Sequence, residues 1–286
     1  MKHVILPLLP DALLDEFLGD DVPLLDLTTH VLGIGACDGV MSFSARGAMV
    51  VACAEEAARI ITRAGGGVDL HTSSGTALAP GASILVARGS AQALLRAWKI
   101  AQNLVEVASG IATATQAIVA AARAVNPEIS VACTRKNAPG TKLMSLKAIL
   151  AGGATPHRLG LSETILIFAE HRTFLKDKPP KEIVAMLRQG VAEKKIVVEV
   201  GSIAEALLWA HAGADVIQTE KFSPADVEIL CRDLKQLPVK PHIAAAGGVN
   251  QSNAANYAAA GADIIVTSSP YWAKPCDVAV SIEIAT

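Results

Sequence analysis

The stretch Lys195 to Glu220, "KIVVEVGSIAEALLWAHAGADVIQTE", reads as strand, helix, strand. "KIVVEV" is a short β-branched run. "SIAEALLWAHAGA" opens on a capping residue, Ser202, and closes near Gly213, the punctuation of a helix. "ADVIQT" is a second β-type run. Strands joined through a helix lie parallel, because a crossover and not a tight hairpin connects them.

The same rhythm extends to both sides. "ISVAC", "TILIF", "HIAAA" and "ADIIVT" are further β-type runs, so six strands are expected from residue 129 onward, with one or two more between Ala151 and Leu159. "NQSNAANYAAAGA" reads as another helix, capped by Asn250 and closed near Gly261. The first half differs. "GVMSFSARGAMVVAC" alternates like antiparallel strands, "AEEAARIITRAGG" is a helix closed by glycine, and "GASILVARGS" is another strand, so a separate α/β layer is expected there. A helical stretch beginning "AQALLRAWKIAQNLVEVA" joins the halves, with a break expected at Ser109-Gly110. The domains are therefore drawn as residues 1–108 and 109–269, with the tail, about 270–286, grouped with the first.

Composition excludes several functions. The net charge of -2 lacks the concentrated basic surface that duplex binding requires, and 3% aromatic residues supply few platforms for single-stranded nucleic acid. No uninterrupted apolar segment reaches the ~20 residues of a membrane helix. The N-terminal apolar run is interrupted by Pro7, Pro10 and Asp11 and is not read as a signal peptide. Five widely spaced cysteines, Cys37, Cys53, Cys133, Cys231 and Cys276, form no CxxC pair; buried free thiols in a reducing cytosol are expected.

In βα architectures the site is built at the C-terminal ends of the strands. Here those exits are polar in turn. "ISVAC" runs into Arg135 and Lys136 within "TRKNAPGTK"; His157 and Arg158 follow in "GGATPHRLGL"; Glu199 ends one strand, and Glu220 and Lys221 another. Gly247 and Gly248 follow "HIAAA", and Thr267, Ser268 and Ser269 follow "ADIIV". A lone His-Arg pair is usually a surface pair, and a lone glutamate can satisfy a backbone amide. Random surface charge, however, would fall equally at both strand ends. Cations, glycine-turn amides and hydroxyls on one rim suit a phosphorylated anion. Two carboxylates on other exits suit Mg²⁺, ribose hydroxyls or a developing cation.

These residues carry a resemblance. "TRKNAPGTKLMSLKAILAGGATPHRLGL", "VVEVGSIAEAL", "GADVIQTEKF", "AAAGGV" and "DDVPLLDLTT" resemble quinolinate phosphoribosyltransferase over nearly the whole chain. "AWKIAQNLVEVASGIATAT" and "PHRLGLSETILIFAEH" are similar to its ModD subgroup, paralogues encoded with molybdate-transport genes. The resemblance implies an N-terminal α/β sandwich-like layer and a C-terminal open α/β barrel, TIM-like but incomplete. It also implies a homodimer with a shared active site. The reaction it implies joins an aromatic acid or heterocycle to phosphoribosyl pyrophosphate (PRPP) with Mg²⁺, releasing pyrophosphate; in the family the acceptor is a pyridine dicarboxylate and CO₂ is released as well.

Carried over by position, the resemblance makes Arg135, Lys136, His157 and Arg158 substrate- and pyrophosphate-binding and sets Glu199 beside the ribose, with Glu220 where aspartate is usual. Lys136, Glu199 and Glu220 are the candidate catalytic groups, and the two glutamates the candidate Mg²⁺ ligands. Several positions depart from the pattern. Lys99 replaces an arginine that reaches into the partner's site, and Phe168 replaces a lysine. Ala246 replaces a phosphate-loop serine, Ser268 a phosphate-loop glycine and Trp272 a histidine. Two alternatives stay open: a lyase using Lys136 as a Schiff-base amine, and a nucleotide- or anion-binding protein of molybdenum metabolism that has lost catalysis.

Overall fold

The computed structural model describes residues 6–285. The chain begins with helices α1 (Asp11–Asp21) and α2 (Leu27–Val31), then β1 (Asp38–Ala45), β2 (Met49–Val50), α3 (Ala54–Arg63), β3 (Gly67–Leu70), β4 (Ala77–Leu78) and β5 (Ser83–Ser90). Helix α4 (Ala91–Arg123) leads to β6 (Ser130–Cys133), α5 (Lys142–Ala151), β7 (Thr155–Pro156), β8 (Ile165–Ile167), α6 (Ala169–Thr173) and α7 (Pro180–Gly190). The repeating part follows as β9 (Ile196–Val200), α8 (Ile203–His211), β10 (Val216–Glu220), α9 (Pro224–Asp233), β11 (His242–Ala246), α10 (Ala254–Ala259) and β12 (Ile264–Thr267). The last strand is β13 (Val278–Ile284).

The described residues form two compact units: those within 1–116, 138–153 and 270–286 form one, and 117–137 with 154–269 the other. In the first, an antiparallel sheet runs β13-β1-β5-β3, with β13 and β5 flanking β1. The alternation of β1 buries Met41, Phe43 and Ala45. Helix α3 packs against this sheet through Ala57, Ile60 and Ile61, and left-handed Gly65 ends it as the sequence indicates.

The expected break at Ser109-Gly110 does not occur: α4 is continuous. Both residues are consumed by close packing. The buried Ser109 hydroxyl accepts from Ala52 N–H at 3.0 Å, and a Cβ on Gly110 would lie 2.3 Å from the Lys274 carbonyl oxygen. The pair marks a close approach of backbones within the helix and not its end. Among the described residues α4 alone is long and apolar enough to cross a membrane by length and composition. It is a core helix here, with Ala97, Ala101, Val105, Ala108 and Ala112 fully buried.

Helix α5 is fixed within this unit by an ion cluster. Lys147, 1% exposed, donates to Glu56 at 2.6 Å and to Glu55 at 2.9 Å. Glu55 also accepts from Ser74 N–H at 2.8 Å, and Glu56 from Leu9 N–H at 3.1 Å. Burial alone would lower the lysine pKa and raise that of Glu55; the hydrogen bonds outweigh it, so Lys147 is raised and Glu55 lowered.

The second unit is one seven-stranded sheet in the order β7-β6-β12-β11-β10-β9-β8, with every pair parallel. Consecutive strands β7 and β8 occupy opposite edges, so the sheet is an open barrel. All six strands expected from the sequence are present, and β7 supplies the extra one between Ala151 and Leu159. Val216, Ala244, Ala246 and Val266 pack together with Val197 and Ile264 to fill its inner face. Ser202 caps α8, its side chain accepting from Glu205 N–H. Asn250 does not cap α10: its side-chain oxygen accepts from Ser252 N–H at 2.9 Å, and Asn253 occupies the cap. The asparagine stabilises a turn before the helix because its side chain reaches the backbone two residues on.

The cysteines are all unpaired. Cys53, Cys133 and Cys231 are buried as expected, and burial pushes the Cys133 thiol up to about 12. Cys276 is half-buried and Cys37 is exposed, in the turn that enters β1, where its N–H reaches the Ile34 carbonyl.

Candidate active site

Parallel register brings the strand exits of the second unit to one height. Glu199 pairs in register with Gln218 and Gln218 with Ala244, while Glu220 pairs with Ala246 and Thr267 with Cys133. Because side chains alternate along a strand, Gln218 and Glu220 share a face, and Glu199 joins it through the register. A cavity of about 370 Å³ opens over these exits. Its lining contains Arg135, Lys136, His157, Arg158, Phe168, Glu199 and Glu220, together with Ala246, Gly247, Gly248, Thr267, Ser268 and Ser269. Of the polar exits named from the sequence on this unit, only Lys221 is not part of this lining.

Local geometry explains how each group is held. Thr134 N–H donates to the Thr267 carbonyl at 2.9 Å and Lys136 N–H to the Thr134 hydroxyl at 3.2 Å, so the loop bearing the two cations leaves β6 in a fixed direction. His157 N–H donates to the Cys133 carbonyl at 2.8 Å. Burial, then the neighbouring Arg158 charge, lowers the His157 pKa and favours the neutral ring. Arg158 is buried, 8% exposed, and its own pKa is lowered by that burial and by Arg135.

The Gly247-Gly248 turn has a steric requirement. Both glycines are left-handed, at φ 82° and 85°, and a Cβ on Gly247 would lie 2.6 Å from the Lys221 nitrogen and 3.0 Å from Glu220 Cδ. Lys221 is itself left-handed, φ 59°, with its N–H on the Ala246 carbonyl at 2.9 Å. Glycine here lets two strand exits approach. The Thr267 hydroxyl donates to the Val249 carbonyl at 2.6 Å and accepts from Ser269 N–H at 3.1 Å, closing the next exit.

The carboxylates Glu199 and Glu220 line the same cavity as the cations. Burial raises the Glu199 pKa, the Gln218 hydrogen bond opposes it, and Glu220 adds to it. Its backbone carbonyl accepts from Arg172 at 2.7 Å, which ties α6 to the end of β9. Phe168 forms one wall: its ring stacks on His171, with centroids 5.8 Å apart, and lies under the Arg158 guanidinium. Among the described residues no group of three or more His, Cys, Asp or Glu could hold a metal ion by itself.

Lys99 and Trp272 do not line the cavity. Lys99 lies on α4 in the first unit, hydrogen-bonded to Gln102 at 3.1 Å and 4.2 Å from the centroid of the Trp98 ring. Trp272 is 71% exposed. Gln218, Leu166, Asn250 and Val266 line it without having been expected. For Gln218 a signal existed: it stands two residues before Glu220 in a strand, hence on the same face.

The quinolinate phosphoribosyl transferase C-terminal domain matches residues 111–281, and the N-terminal domain of the same enzyme matches residues 26–109. The chain belongs to the quinolinate phosphoribosyltransferase family. It is thus of a family of pentosyltransferases, with the family's mixed α/β fold. It is 50% identical to "Putative pyrophosphorylase ModD" of Rhodobacter capsulatus over 248 residues, 87% of this chain and 95% of that one. It is 30% identical to the human nicotinate-nucleotide pyrophosphorylase (carboxylating) over 254 residues, 89% of this chain and 84% of that one. Among solved structures, NadC from Streptococcus pyogenes superposes with a TM-score of 0.88 at 25% identity, covering 98% of this chain and 99% of that one. Family membership accounts for the presence of both an open barrel and an antiparallel sheet.

Proposed function

We propose that this quinolinate phosphoribosyltransferase homologue transfers the phosphoribosyl group of PRPP to an aromatic heterocyclic acceptor and releases pyrophosphate. The observation that carries the reading is the charge division of one cavity, with Arg135, Lys136, His157 and Arg158 on some exits and Glu199 and Glu220 on others. Arg135, Lys136 and Arg158 hold the pyrophosphate and any acceptor carboxylate through charge-assisted hydrogen bonds, with the His157 ring as a neutral partner, and the Gly247-Gly248 turn and the hydroxyls of Thr267, Ser268 and Ser269 receive the 5-phosphate. As the pyrophosphate leaves, positive charge develops on the ribosyl ring, and the two carboxylates stabilise it in place.

The donor set suits Mg²⁺ as the family uses it. Mg²⁺ takes one or two carboxylates and completes its shell with water and substrate phosphates, so two glutamates are a sufficient protein share. Glu199 and Glu220 would hold it, directly or through water, and when bound it neutralises charge on the leaving pyrophosphate. Lys136 is exposed, which leaves its amine hydrated and argues against a Schiff-base lyase. A mere anion sensor would gain nothing from two carboxylates in its pocket.

Phe168 in place of a cation points to an acceptor less acidic than quinolinate, a monoacid or a neutral heteroaromatic, and leaves its decarboxylation unnecessary. Family precedent supports a homodimer in which Lys99 of one subunit serves the other's site, and five unpaired thiols support a cytoplasmic location. Calorimetric titration with PRPP in the presence of Mg²⁺ tests the reading: saturable binding, weakened by added pyrophosphate, is expected, and no binding contradicts it.

A further inference from the structure

Gln218 stands where a barrel strand would ordinarily carry an aliphatic residue. It is 4% exposed in the middle of β10, between Ile217 and Thr219, which are buried as well. Its side-chain nitrogen Nε2 donates to Glu199 Oε2 at 2.7 Å. Its carbonyl oxygen Oε1 is buried and has no hydrogen-bond partner among the described residues. A buried acceptor without a donor is a net cost to folding, and leucine or methionine would fill much the same volume without it. The amide is therefore not explained by stability, and its one satisfied atom is on Glu199.

We propose that Gln218 is a positioning residue for Glu199, holding one carboxylate oxygen against the strand so that the other is presented to the ribosyl centre. The inference rests on the phosphoribosyltransferase reading above. A glutamate facing a cavity has three side-chain torsions to lose before it can act as a fixed charge. On one side the register neighbour of Gln218 is Ala244, too short to restrain anything; on the other it is Glu199 itself. A partner rooted in the adjacent strand removes that torsional freedom in advance, as outer partners do for catalytic and metal-binding groups.

The test is a double-mutant cycle on the full chain, with Gln218→Leu, Glu199→Gln and both together, and Gln218→Met as a second replacement should leucine perturb folding. Unfolding midpoints, calorimetric PRPP·Mg²⁺ affinity and pyrophosphate release with the best acceptor from a panel are measured. Gln218→Leu should keep or raise the midpoint and lower kcat about ten- to a hundred-fold, the scale of losing an outer partner, with a smaller fall in PRPP·Mg²⁺ affinity. In the Glu199→Gln background it should change kcat no further. Wild-type turnover in Gln218→Leu and Gln218→Met, or losses that simply multiply in the double variant, overturn the positioning role while leaving the phosphoribosyl reading intact. A wild-type protein that neither binds PRPP·Mg²⁺ nor releases pyrophosphate overturns that reading, and this inference with it.

Discussion

The guanidinium of Arg158 lies over the ring of Phe168, with Cζ 5.5 Å from the ring centroid, and His171 stacks on the same ring. This arrangement packs the buried arginine against an aromatic face and gives the cavity an apolar wall at Phe168. A second acceptor carboxylate would lose its hydration there without gaining a partner. Wild-type kcat/KM for quinolinate should accordingly fall below ~10⁴ M⁻¹s⁻¹, the lower end of the usual enzyme range. Phe168→Lys combined with Lys99→Arg should raise it, and either change alone should do less, since both ends of the diacid need holding. Steady-state kinetics on the four proteins checks this; ordinary wild-type efficiency with quinolinate would refute it.

Arg135 is exposed on the loop after β6 and lines the cavity. Arg135→Ala should remove one or more charge-assisted hydrogen bonds to PRPP, each worth roughly 1.5–3 kcal/mol, or about ten- to a hundred-fold in affinity. Unchanged calorimetric affinity would remove Arg135 from the site.

Glu199→Gln changes charge with little change in volume, and the amide oxygen can still accept from Gln218. The melting temperature should stay near wild type while turnover falls on the order of a hundred-fold, the scale for losing a preorganised electrostatic group. A large loss of stability with activity retained would make Glu199 structural.

Most of the barrel was legible because its strands are short β-branched runs spaced by helices, and parallel register then brought the rim residues together. What escaped depends on distant partners. Ser109-Gly110 looks like a helix end, and only the Lys274 backbone packed against it explains the glycine inside α4. Strand alternation sets Gln218 on the face of Glu220, but its hydrogen-bond partner, Glu199, lies on the neighbouring strand and is not visible from β10 alone. Lys147, which nothing in the sequence sets apart from the other lysines, is buried where Glu55 and Glu56 meet it from α3.

That ion cluster makes its own prediction. Lys147→Met leaves two carboxylates without their cation, one of them fully buried, and should cost about 3–5 kcal/mol of stability in denaturant unfolding. The pH dependence has a definite sign. Glu55 is depressed below its ordinary 4.5, so its contribution is present above that value and is lost as pH falls through the folded pKa. Lys147 is raised above 10.5, so its contribution is present below that value and is lost as pH rises through the folded pKa. Glu55→Gln should flatten the acid limb, and equal acid sensitivity in that variant would contradict the assignment.

The most direct test of the central claim is pyrophosphate release from PRPP in the presence of Mg²⁺, measured across a panel of pyridine and azole acceptors with the wild-type protein and Glu199→Gln side by side. Release that depends on PRPP and on the acceptor, strongest with a monoacid or neutral heteroaromatic and largely abolished in Glu199→Gln, is the predicted result. No release with any acceptor, or equal release from both proteins, would contradict it.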